Sequence, residues 1–192
     1  MGNFGTITNI DTPQNDKELT FALWYDISRQ YLLKLLMPNF ALSRRIVAAL
    51  SAVPAGYANS FAYAYEYPSD CLKVLGIGNV EDKQNDYTVE SNMILTNTEY
   101  ADGLPLRFIA DVEDVSKFSA EFVKGLSLYL ASQACMSVTQ DVAKAGQLEV
   151  MVSRVIGSIS GMNAQENRPI RISNSLYKQS RYTPFPSNSS KK

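Results

Sequence analysis

The stretch FAYAYEYPSDCLKVLGI, residues 61–77, decides how the chain is divided, because the spacing of its hydrophobic residues changes there. Phe61, Tyr63, Tyr65 and Tyr67 alternate with small or charged residues, which is the two-residue period of an extended backbone, and Pro68 ends the run. Beyond the proline, Leu72–Ile77, Tyr87–Glu90, Met93–Thr96 and Leu106–Ala110 predict strands. Ser91-Asn92 suits a two-residue hairpin turn, since Asn tolerates positive φ better than most residues. That turn pairs Val89 with Ile94 and Tyr87 with Thr96. Residues 68–112 are thus expected to form a small antiparallel β insertion.

On either side the period lengthens to that of helices. Asn15 can cap a helix with Glu18 at its third position, a capping-box arrangement. Leu19, Leu23/Trp24, Ile27, Tyr31 and Leu35 then recur at steps of three and four, predicting one buried stripe that ends before Pro38. A second helix is expected over Phe40–Leu50, with Arg44-Arg45 on its wet side and Pro54 and Gly56 stopping it. After the β insertion, Ser116 or Ser119 can cap a helix buried through Phe118, Phe122, Leu126, Tyr129/Leu130 and Ala134. Thr139 can cap the last one, buried through Val142, Leu148, Val152, Val155 and Ile159 and stopped near Gly161. The expected fold is mainly α (α+β): a helical bundle over residues 16–162 with the β insertion inside it. An extended N-terminal segment, 1–15, and an extended basic arm, 163–192, flank the bundle.

Composition narrows the chemistry. The 192-residue chain contains no histidine, which removes Ser-His-Asp and Cys-His nucleophile systems and every His-containing metal site. Cys71 and Cys135 lie far apart in apolar contexts and read as buried thiols rather than a disulfide. With no signal-peptide pattern and no long apolar run, a soluble, non-membrane protein made in a reducing cytoplasm is expected. The net charge of −1 conceals an asymmetry. From Asn163 onward six basic residues face only Glu166, giving +5, while residues 1–162 carry −6. Arg168, Arg171, Leu176, Tyr177, Arg181, Tyr182 and Phe185 give that tail the spaced basic and aromatic residues of a docking arm, with a frayed end as the plainer reading.

No sequence constellation completes a catalytic or cofactor site. Asp111, Glu113 and Asp114 lack the glycine turn and distal glutamate of a calcium loop, and are expected in a solvated loop near a helix N-terminus. Glu81, Asp82 and Asp86 receive the same reading. Gly76-Ile77-Gly78 lacks the third glycine of a dinucleotide loop, and Ser175-Leu176-Tyr177-Lys178 matches S-x-x-K only in a polar tail. Arg44-Arg45 faces either DNA, an acidic neighbour or plain solvent. With 19 acidic residues, a carboxylate pair that cleaves glycosidic bonds remains the enzymatic alternative, which would make the chain a tail-associated peptidoglycan hydrolase.

Residues 62–75, AYAYEYPSDCLKVL, resemble the Tyr-x-Tyr-x-x-Pro-x-Asp-Cys-Leu signature of podoviral tail tubular protein A, a head-to-tail adaptor of short-tailed bacteriophages. Tyr87-Thr88-Val89-Glu90, Ile94-Leu95-Thr96-Asn97, Leu106-Arg107-Phe108-Ile109, the phenylalanine-led stretch Phe118–Cys135, and Asn39-Phe40-Ala41 fit the same pattern. In order these blocks span about residues 19–162. The chain departs from it at Pro38, where relatives commonly have tryptophan, and at Ser91-Asn92, where they have glycine. The resemblance implies a non-enzymatic virion protein at the head–tail junction, made in the host cytoplasm, with no cofactor. It further implies a ring of twelve copies seated on the portal protein and carrying the tail nozzle and often fibres, through which DNA passes unread.

Overall fold

The computed structural model describes residues 12–78 and 87–166. Asn15 caps helix α1, Asp16–Leu36, by accepting from the Glu18 backbone N–H at 2.9 Å, and the Glu18 carboxylate reaches back to the Gln14 N–H at 2.6 Å. The first bond satisfies one of the helix's orphan donors, and the second ties down the residue before the cap. Met37 closes the helix in the left-handed region, its N–H bonded to the Leu33 carbonyl, and Pro38 prevents continuation.

The chain then departs from expectation. Phe40–Leu50 is not a helix. After one 3-10 turn at Asn39–Ala41 it becomes strand β1, Leu42–Val47. The other strands are β2 (Tyr63–Glu66), β3 (Cys71–Ile77), β4 (Tyr87–Glu90), β5 (Met93–Thr96) and β6 (Leu104–Ala110). They form two three-stranded antiparallel sheets, ordered β1-β6-β3 and β2-β5-β4. Segment 42–50 joins them. β1 pairs with β6 along its full length, and Ala48–Leu50 then pass to β2 through Glu66 N–H to Ala48 O and Leu50 N–H to Ala64 O. A helix there would satisfy its backbone locally, but two ladders of long-range hydrogen bonds outweigh that preference.

Helices α2, Ala120–Thr139, and α3, Val142–Glu166, complete the described chain. Of the two serines considered, Ser119 caps α2, accepting from the Phe122 N–H at 3.3 Å, while Asp114 caps the preceding 3-10 turn. Thr139 belongs to α2. Asp141 accepts from the Lys144 N–H at 3.1 Å at the head of α3, and this backbone hydrogen bond holds its carboxyl below the ordinary carboxylate range. Helix α3 continues past Gly161 to Glu166.

Among the described residues the fold is α+β, three helices and two sheets, and not a helical bundle with a small β insertion. Strand structure begins at Leu42, well ahead of the expected insertion at 68–112. The first sheet is the middle layer. On one face Leu42, Leu72, Leu75 and Ile109 pack with Leu32, Leu33, Leu36, Phe122, Leu126 and Ile159 of the helices. On the other, Val47, Ile77, Leu104, Leu106 and Phe108 pack with Tyr65 and Ile94 of the second sheet. The hairpin 87–96 has the expected register, with Ser91 and Asn92 both at positive φ. Gly103 sits at φ +92, where an added Cβ would lie 2.7 Å from Ile46 Cγ2 and 3.0 Å from the Val47 carbonyl oxygen, so the turn into β6 requires glycine.

One polar contact fixes the rotation of α1. Arg29, only 2% exposed, donates to the Asp111 carboxylate, to the Val112 carbonyl at 2.8 Å and to Asp26 at 3.2 Å. Gln30 also donates to Asp111 at 2.8 Å. Burial pulls the Arg29 pKa down, but the hydrogen bond and charge of Asp111 outweigh this and hold it above its ordinary value. Asp111 is therefore a structural partner, not the solvated loop residue expected from its acidic neighbours. Replacing Arg29 by Ala leaves a half-buried carboxylate without its cation and is expected to cost about 3–5 kcal/mol in urea unfolding. The double variant Arg29→Met, Asp111→Leu should recover most of that loss.

Candidate assembly surface

With Arg29 turned inward, α1 buries Ser28, Leu32, Leu33 and Leu36. The apolar row expected to be buried therefore points outward. Leu19, Leu23, Ile27, Tyr31 and Leu35 are 44–66% exposed. Their strict four-residue spacing makes a continuous ridge about 24 Å long, inclined to the helix axis as rows of this spacing are. Single exposed apolar residues are unremarkable, but five in one line form a patch of the kind that marks a contact surface. Tyr31 stacks on Tyr129 of α2 with ring centroids 5.2 Å apart, which anchors the C-terminal half of the ridge to the helical layer.

Helix α3 presents a different surface. Val152 and Ile159 are buried, Leu148, Val155 and Ile156 are half-buried, and Val142, expected to be buried, is exposed. The side facing away carries Gly146, Val150, Ser153, Gly157 and Gly161, all exposed. A Cβ added at any of the three glycines would meet nothing within 4 Å. Gly125 on α2 is the contrast: a Cβ there would come within 3.0 Å of Ile159 Cδ1, so it lets α2 and α3 pack closely.

The first sheet is exposed at Ile46 of β1. Arg44 and Arg107 face each other there as direct cross-strand neighbours, beside a shallow cleft also lined by Ile46, Gly78 and Pro105. The Arg107 Nε is buried without a hydrogen-bond partner among the described residues. Arg45 points to the opposite face, makes two hydrogen bonds to Asp70 at 2.9 and 2.8 Å, and lies over the Phe108 ring. It is the charged lid of the second core rather than a ligand-binding group.

The remaining chemistry is structural. Asp114 is spent on Ser116, accepting from its hydroxyl at 2.6 Å and its N–H at 3.0 Å. Cys71 and Cys135 are free and buried, and burial pushes the Cys71 thiol up, away from nucleophilic reactivity. Among the described residues no group of three or more carboxylates and cysteines is placed to hold a metal ion, and no helix is long and apolar enough to cross a membrane. The arm residues Arg168, Arg171, Leu176, Tyr177, Arg181, Tyr182 and Phe185, together with Glu81, Asp82, Asp86 and Ser175–Lys178, lie outside the described residues.

No protein-family model matches the chain, and no curated protein matches it. The two helical surfaces are thus the candidate site: the α1 ridge, whose spacing was visible in sequence but whose direction was not, and the open α3 face, which sequence reasoning passed over. If the ridge is a surface, the double variant Leu23→Gln, Ile27→Gln keeps its unfolding free energy within about 0.5 kcal/mol of wild type and binds less of an apolar fluorescent dye. A loss above about 2 kcal/mol, the size of a core truncation, would instead place these side chains inside.

Proposed function

We propose that the chain is a structural head-to-tail adaptor of a phage virion, a subunit of a ring that joins the portal protein to the tail and lets DNA pass. The observation that carries this reading is the exposed apolar ridge of α1, which gives the subunit a long surface requiring a protein partner. Support from sequence comes from the ordered motifs between residues 19 and 162 that resemble podoviral tail tubular protein A. That resemblance is the source of the twelve-fold ring, the portal on which it seats, and the nozzle and often fibres that it carries.

Charge is consistent with the role. A net −6 over residues 1–162 repels a phosphate backbone, which suits a channel that DNA slides through without being held. The basic residues from Arg168 to Lys192 complement that body and would clasp an adjacent acidic subunit. The hydrolase alternative singles out no carboxylate pair, and Asp111 and Asp114, weighed in the sequence as part of a metal loop, serve as an ion-pair partner and a cap.

The purified chain should be monomeric or weakly associating alone and should form rings when mixed with the portal protein of the same phage, read by native mass spectrometry and electron microscopy. Absence of both ring and complex in that mixture would contradict the reading.

A further inference from the structure

We infer that the cleft at Arg44 and Arg107 is an anion site that takes an acidic side chain of a protein partner. The charges and the cleft belong to a single copy, so the site does not depend on the ring reading.

Sheet register makes the two arginines neighbours. Arg44 of β1 stands directly opposite Arg107 of β6, on the face that also carries Leu42, Ile46, Pro105 and Ile109. Like charges set directly opposite each other on a sheet repel. Their same-face neighbours on both strands are all apolar, so nothing in that ladder offsets the repulsion. On its other side Arg107 is opposite Gly76 of β3, which has no side chain to offer. Among the described residues neither arginine forms an ion pair, whereas Arg29 and Arg45 are both held by carboxylates.

The Arg107 Nε is an independent sign of a missing partner. It is buried without a hydrogen bond, although an N–H removed from water is costly unless it is bonded. Arg29 also leaves its Nε unbonded, but its terminal nitrogens are engaged by Asp26, Asp111 and Val112. In Arg107 the whole guanidinium is without a bond among the described residues. A carboxylate bound side-on accepts from Nε and one terminal nitrogen of a guanidinium in parallel. A small turn of the Arg107 side chain toward the cleft presents that pair of donors, and Arg44 supplies the second charge.

Size and surroundings select the class of ligand. The cleft encloses about 230 Å³ and is walled by Ile46, Gly78, Pro105 and Leu106 beside the arginines. That is below the ~300–1,000 Å³ of sites for small molecules, and suits one side chain entering from outside. Ile46 is 66% exposed, which offers a partner an apolar contact next to the charge. A nucleic-acid backbone fits less well. Residues 1–162 carry −6, so a run of phosphates would meet net repulsion beyond this one basic pair, whereas a single carboxylate meets only the pair.

The test titrates the nitrogen-15-labelled full-length chain with an acetylated tetraglutamate amide, with the tetraglutamine peptide as the uncharged control. Nuclear magnetic resonance follows the arginine Nε–H groups and the backbone amides of β1 and β6. A saturable shift of the Arg107 Nε–H with tetraglutamate alone is expected, and Arg107→Gln should weaken binding about tenfold or more. Arg44→Thr should also bind more weakly, yet melt about 1–2 °C higher, because it removes the like-charge contact. No shift at Arg107, undiminished binding by both variants, or a lower melting temperature for Arg44→Thr overturns the site. A short double-stranded DNA is the parallel probe, and tighter binding of DNA than of peptide overturns the choice of a protein carboxylate. Residues 79–86 follow Gly78 and include Glu81, Asp82 and Asp86, so the titration is repeated on the triple variant Glu81→Gln, Asp82→Asn, Asp86→Asn. Unchanged affinity supports an outside partner, while a clear gain assigns the site to the chain's own carboxylates and overturns the partner.

Discussion

The buried pair of Arg29 and Asp111 is the constraint on which the molecular surface depends. Helix α1 is apolar on two sides, and hydrophobicity alone would accept either of them as the core face. A guanidinium cannot enter an apolar layer without hydrogen-bond partners, and the segment after β6 supplies a carboxylate and a carbonyl where only one rotation of α1 can reach them. With that rotation fixed, Leu32, Leu33 and Leu36 meet the first sheet and α2, and the alternative stripe is left outside. The pair need not add much net stability to do this. Its effect is to make the other orientation prohibitive.

The second organising device is the segment from Leu42 to Leu50. By pairing first with β6 and then with β2 it holds the two sheets as adjacent layers, and β6, the central strand, faces helices on one side and the second sheet on the other. The helices thus rest on a platform already filled from below. They can bury only one side each, and among the described residues the far side of α1 is left exposed with its apolar row and the far side of α3 with its glycines. A fold built in these layers offers a ridge held on a packed helix, which suits contacts that must repeat identically from copy to copy.

Local chemistry was legible in the sequence. The Ser91-Asn92 turn, the Tyr87–Thr96 register, the Asn15 cap with Glu18, and the stop before Pro38 depend on neighbouring residues and were read correctly. The buried positions Phe122, Leu126 and Ala134 of α2 also followed from spacing, because that helix has one clearly apolar side. Phe40–Leu50 failed because its conformation is set by partners about sixty residues away in β6 and about sixteen away in β2. The facing of α1 failed for a sharper reason: its true core stripe includes an arginine, while the exposed one from Leu19 to Leu35 does not, so a pattern of apolar spacing prefers the wrong face. The three open glycines of α3 carried a signal that could have been used, since glycine within a helix asks for a packing partner.

The account therefore turns on whether the outward side of α1 becomes buried on assembly. Hydroxyl-radical footprinting with mass-spectrometric readout, on the free chain and on the chain assembled with portal protein, measures this residue by residue. Strong loss of labelling at Leu23, Ile27 and Tyr31, with Tyr63 and other second-sheet residues used for normalisation, is the predicted result. Unchanged labelling along Leu19–Leu35 in an assembled ring would contradict it.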